Sequence, residues 1–226
     1  MTITDITYTT RDGGEFTCIL AEPDGDGKVP AILFITAIWG IDEGAREITA
    51  AWADDGFLVS VPDIFWRQHP GPTGDMEIAQ ARYHAYDVDQ GLLDIQDLLA
   101  HLRAHPRSNG KIAVFGICFG GRYAHLAAAR YGIDAAGSYH GTYIEKHLDE
   151  THKITCPVSF HFGVEDPVIP MDQVKLIQDS YASHDNADII AHPGAGHNFS
   201  MPNKELYRPE VAKASRDAVL KCFRSM

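Results

Sequence analysis

The sequence is short of positive charge. Its 226 residues carry 19 Lys and Arg against 31 Asp and Glu, a formal net charge of −12 with His neutral. Such a surface repels phosphate, which argues against nucleic acid and anionic membranes as partners. Long apolar runs are also lacking. The longest, from Pro30 to Ile41, is broken by Thr36 and Gly40 and is too short to cross a bilayer. The first ten residues, MTITDITYTT, hold no basic stretch followed by an apolar one, so no secretion signal is expected. Cysteine is sparse: Cys18, Cys118, Cys156 and Cys222 lie far apart and form no CxxC pair. This predicts free thiols and a reducing, cytoplasmic setting. There is no H-E-x-x-H, and His140 and His147 have no acid cluster beside them, so neither a metal nor another cofactor is expected.

What remains is ordinary globular material, 45% hydrophobic and 22% charged. No repeat or low-complexity stretch divides it, and residues 1–226 read as a single α/β domain. Strands are predicted at 16–22, 30–36, 57–61, 111–115, 133–139, 158–162 and 187–191. Helices are predicted at 43–55, 118–131, 171–182 and 203–223, with one long helix or two between 75 and 105. Asn109-Gly110 reads as a turn. Strands alternating with helices give a mostly parallel sheet covered by helices on both faces. Sites in such sheets form beyond the carboxyl ends of the strands.

Three such loops carry chemistry. The first is Gly116-Ile-Cys118-Phe-Gly120, a G-x-C-x-G between a buried strand and a helix. G-x-S-x-G in that setting is a nucleophile elbow, with small residues two before and two after the strained central one. A thiol there sits at the positive end of a helix dipole. The backbone N–H of Phe119 would face a substrate oxyanion. The second loop holds Glu165 and Asp166, either of which could orient an imidazole; Asp166 is preferred because Pro167 fixes its backbone. The third, His192-Pro-Gly-Ala-Gly-His197, places His197 on a glycine-rich loop, with His192 read as structural. Nucleophile, acid, histidine is the chain order of elbow hydrolases. The second oxyanion donor would come from Ala37-Ile38-Trp39-Gly40, with the N–H of Ile38 as candidate.

These motifs resemble the dienelactone hydrolase family of α/β-hydrolases. Ile38-Trp-Gly40, Val61-Pro-Asp-Ile-Phe65 and Ser108-Asn-Gly-Lys111 extend the likeness along most of the chain. The resemblance implies a catalytic triad of Cys118, Asp166 and His197, with oxyanion donors Ile38 and Phe119. It also implies a lactone or carboxylic ester as the small-molecule substrate, cleaved through an acyl-thioester. Three positions depart from the family pattern. Ala37 replaces a glutamate that contacts the resting cysteine, while Met201 and the region of Met76 replace arginines that hold a substrate carboxylate. A Cys118–His197 ion pair or a direct general-base step is therefore expected in the resting enzyme. Trp39, Trp66, Tyr83, Tyr139, Tyr143, Phe199 and Met201 are candidates for an apolar substrate pocket. Arg67, Arg82 and Arg122 are alternative cations, read first as surface residues. A monomer is expected. The competing functions are a general carboxylesterase or thioesterase and a non-hydrolytic member in which Cys118 senses oxidants.

Overall fold

A computed structural model describes Met1–Met226 and carries eight strands and six α-helices. The contacts group them into two compact units, Met1–Ile112 and Ala113–Met226.

The first unit holds β1 (Thr2–Thr9), β2 (Glu15–Glu22), β3 (Val29–Ile35) and β4 (Leu58–Pro62), with helices α1 (Glu43–Asp54), α2 (Met76–His84) and α3 (Val88–Ala104). The strands lie in the order β1-β2-β4-β3. β1 pairs antiparallel with β2, Thr2 opposite Glu22 and Thr9 opposite Glu15. β2 pairs antiparallel with β4, and β3 runs parallel to β4 with Ala31 opposite Leu58. β3 is apolar and buried from Ala31 onward because it is covered on both faces. Each helix starts at an Asp: Asp42, Asp75 and Asp87 accept backbone N–H groups of the first turn, which satisfies donors the helix leaves open.

The second unit holds the end of β5 (Ser108–Ile117) and β6 (Ala135–Tyr139), β7 (Val158–Gly163) and β8 (Ala187–His192). These strands run parallel in the order β5-β6-β7-β8. Helices α4 (Gly121–Arg130), α5 (Met171–Tyr181) and α6 (Pro209–Phe223) join or close them. All six residues of β7 are buried.

The differences from expectation have local causes. β1 is exposed at most positions and so offered no buried run to detect. Asn109-Gly110 lies inside β5; Gly110 takes φ +90°, which accommodates the irregularity without ending the strand. The region from 75 to 105 is two helices, separated where Asp87 caps the second. α6 starts at Pro209, because residues 203–207 form turns tied back by Tyr207 N–H donating to the Lys204 carbonyl. The helix predicted at 118–131 opens with a 3-10 turn, Cys118–Gly120.

Candidate active site

Cys118 follows directly on β5 and sits at φ +52°, a left-handed conformation that costs energy for any residue with a Cβ. The turn is as sharp as an elbow requires. A Cβ on Gly116 would lie 2.1 Å from the Gly120 carbonyl oxygen. The thiol is nearly covered, with 9% of the residue exposed.

Asp166 lies three residues past β7. Its Oδ1 accepts the N–H groups of Val168 (2.8 Å) and Ile169 (3.2 Å), which fixes the carboxylate plane. Its Oδ2 is 2.7 Å from Nδ1 of His197. Glu165, its rival, points into solvent. The His197 loop follows β8 and is held against the end of β7: Val164 N–H donates to the His192 carbonyl and Glu165 N–H to that of Ala195. Gly163 permits the approach, since a Cβ there would meet the Ala195 carbonyl at 2.3 Å. Asp166 holds Nδ1 of His197 and leaves Nε2 for the sulfur. Burial disfavours a charge on His197, but hydrogen bonds to Asp166 and Cys118 and their negative charge outweigh it and raise the imidazole to about 10. The environment is built for imidazolium beside sulfur.

A fourth residue belongs to this cluster. His140, one residue past β6, is fully buried at φ +37°. Its N–H donates to the His161 carbonyl at 2.7 Å, and its Nε2 lies 3.0 Å from the Ser200 hydroxyl oxygen. Its ring centroid is 4.5 Å from that of His197 and 5.4 Å from that of Phe199. Cys118 Sγ and one ring nitrogen each of His140 and His197 lie within 4.8 Å of one another. Burial, reinforced by the charge of His197, holds His140 well below the usual imidazole range, so it stays neutral. Sequence reasoning set His140 aside as a metal ligand, although it obeys the rule that found the triad, a reactive side chain just beyond a strand end.

A model of the dienelactone hydrolase family matches residues 16–226. The chain belongs to the dienelactone hydrolase family. Carboxymethylenebutenolidase 1 of Cupriavidus pinatubonensis is 31% identical over 218 residues, covering 92% of each chain. Carboxymethylenebutenolidase of Pseudomonas putida is 28% identical over 94% of this chain and 92% of its own. Among solved structures, a protein of Klebsiella pneumoniae with a provisional dienelactone hydrolase assignment superimposes over 100% of both chains with a TM-score of 0.88 at 23% identity. The fold is that of the α/β-hydrolases, and the protein is a hydrolase of lactone or carboxylic ester bonds.

The positions where this dienelactone hydrolase relative departs from the pattern are apolar. Ala37 and Met201 are buried, and Met76 is half exposed. Arg67 and Arg82 are committed to protein partners, whereas Arg122 lies over the Phe119 ring beside the nucleophile with its Nε unpartnered. Arg67 pairs with Asp12 and Asp94. Arg82, expected at the surface, is 1% exposed and lies on the Phe65 ring. It donates to the carbonyls of Ile38 (from Nε, 2.9 Å), Gly71 (2.7 Å) and His69 (3.2 Å). Arg122 stacks against Phe119, Tyr123 and Tyr143. Among the pocket candidates, Phe199 packs on both His140 and Tyr139, and Met201 is buried. Tyr139 is core, packed on Phe115. Trp66 stacks on Phe16 and donates from its indole to Asp94, a packing role that accounts for it without a substrate. Trp39 and Tyr83 are half-buried. His192 is structural, its Nε2 between His161 Nδ1 (3.0 Å) and the Ser215 hydroxyl (3.2 Å). All four cysteines are free.

Proposed function

We propose that the protein hydrolyses an uncharged lactone or carboxylic ester by covalent catalysis at Cys118. The observation that carries this reading is the elbow at Cys118 within reach of the His197–Asp166 pair, whose Nδ1···Oδ2 distance is 2.7 Å. The Cys118 thiolate attacks the carbonyl carbon. The N–H group of Phe119, on the elbow itself, receives the tetrahedral oxyanion. Imidazolium His197 gives its Nε2 proton to the leaving alkoxide, and the acyl group stays on sulfur as a thioester. His197, now neutral, takes a proton from water as the water oxygen bonds to the thioester carbonyl carbon; the C–S bond then breaks, the acid product leaves, and the Cys118 thiolate beside imidazolium His197 is restored. Asp166 holds the tautomer and balances the imidazolium charge.

The substrate class follows from charge. Of the carboxylate-binding arginine positions that the family resemblance implies, one is Met201 and the other falls in the region of Met76. Phe199 and Met201 are apolar and flank the histidine loop. The net charge of −12 repels anions. The relatives named carboxymethylenebutenolidase support a lactone, and the methionines favour one without a carboxylate. We further propose that residues 1–226 act as one α/β-hydrolase domain, monomeric and cytoplasmic. The family match across 16–226 and the four free thiols support this reading.

The test is turnover on matched pairs of neutral and carboxylate-bearing lactones and aryl esters. Neutral members are expected to be preferred, and Cys118→Ala and His197→Ala are each expected to lower kcat by at least about 10³-fold. Full activity in Cys118→Ala would refute the nucleophile, and a preference for the carboxylate series would refute the substrate class.

A further inference from the structure

The triad does not account for His140. It is fully buried, and its Nδ1 makes no hydrogen bond to another residue. A buried polar atom in that condition costs free energy unless something uses it. The arrangement around it is one that metal sites use. His197 has Nδ1 held by the Asp166 carboxylate at 2.7 Å, leaving Nε2. His140 has Nε2 held by the Ser200 hydroxyl at 3.0 Å, leaving Nδ1. Each imidazole therefore has one nitrogen oriented by an outer partner, as metal-ligating histidines do. The third donor, Cys118 Sγ, lies with one nitrogen of each ring inside a 4.8 Å span. In a tetrahedral zinc site the ligand-to-ligand edges are about 3.3–3.6 Å. Relative to the 4.8 Å span, the longest edge would shorten by at most about 1.2–1.5 Å on closing the cluster. The frame is fixed independently of any metal, since Thr142 N–H donates to the Cys118 carbonyl at 2.9 Å and ties the His140 loop to the elbow.

We propose that Cys118, His140 and His197 form a binding site for one thiophilic divalent cation, for which Zn2+ is the probe, and that its occupancy and catalysis exclude each other. One sulfur and two imidazoles leave a fourth position for water, and N/S sets of this kind select zinc over magnesium or calcium. On binding, the thiolate gives its electron pair to the metal. His197 loses its Nε2 proton to solvent and ligates through that atom. His140 ligates through Nδ1 while its proton sits on Nε2, directed at Ser200. The nucleophile and the proton donor of the ester reaction are then both occupied. The metal is a reversible inhibitor, not a cofactor. The inference rests on the same triad geometry as the hydrolase reading. Binding is measured without substrate, so failure of one does not imply failure of the other.

The experiment uses the full chain, stripped with a chelator and titrated with Zn2+ and Co2+. One metal per chain is expected, with a thiolate-to-cobalt charge-transfer band that Cys118→Ser abolishes. Zinc-edge X-ray absorption of the wild type is expected to count one sulfur and two imidazoles. His140→Phe keeps the ring packing and is expected to weaken Zn2+ binding by about tenfold or more. His140→Gln serves as the second variant, and the absorption count on the wild type stands if both fail to fold. Hydrolysis is expected to fall in proportion to zinc occupancy and to return with EDTA. One sulfur with a single imidazole, wild-type affinity in a folded His140 variant, metal bound in Cys118→Ser with unchanged affinity, or an active zinc-loaded enzyme would each overturn the proposal.

Discussion

At the scale of the residue, the buried histidines divide by partner. His197 has a carboxylate and a sulfur and is held charged; His161 has only neutral neighbours and is held uncharged. Burial, with His192 adding to it, lowers His161 to about 3. His192 is lowered by burial as well. In the unfolded chain both titrate near the ordinary value of about 6.5. Below that pH the unfolded chain binds protons that the folded chain refuses, so stability falls as pH falls from about 6.5 towards 3 and is insensitive to these groups above it. His161 alone accounts for roughly 2 kcal/mol between pH 7 and pH 4.5 by that linkage. Urea midpoints measured at those two pH values are expected to separate in the wild type and to draw together in His161→Gln. An unchanged separation would mean that other groups set the acid limb.

At the scale of the element, short loops after strand ends carry the chemistry, and each is braced by a group that sequence alone did not reveal. The strand–turn–helix at Cys118, the acid after β7 and the histidine after β8 were legible, because glycine spacing and chain order specify them. The brace on the Ile38 loop was not. Arg82 lies 44 residues from Ile38, and nothing local tells a buried guanidinium from a surface one. It collects three backbone carbonyls with no carboxylate hydrogen-bonded to it, a fan that a planar guanidinium can span and an ammonium cannot. Arg82→Ala removes the buried guanidinium that bridges those carbonyls and is expected to destabilise the fold by about 1–3 kcal/mol, with Arg82→Lys recovering only part. Thermal or urea unfolding measures it, and a loss below about 0.5 kcal/mol, ordinary for a surface residue, would contradict the brace. His140 was missed for a related reason. It follows β6 as the triad residues follow their strands, but its spacing to other histidines matched no ligand motif.

At the scale of the whole molecule, charge and covering apolar strands were legible from composition and hydropathy runs. The edge strand β1 and the late start of α6 were not, since an exposed strand and a segment of turns leave no periodic signature. The family match extends from residue 16 to residue 226, so one nucleophile is expected per chain. That stoichiometry gives the central claim its most direct measurement. The enzyme is mixed with an activated acetyl ester, quenched in acid before the thioester turns over, digested and analysed by mass spectrometry. One acetyl group per chain is expected, on the peptide that contains Cys118, labile to hydroxylamine and absent from Cys118→Ala. Full turnover with no acetyl on that peptide would contradict covalent catalysis at Cys118, and with it the account of the site.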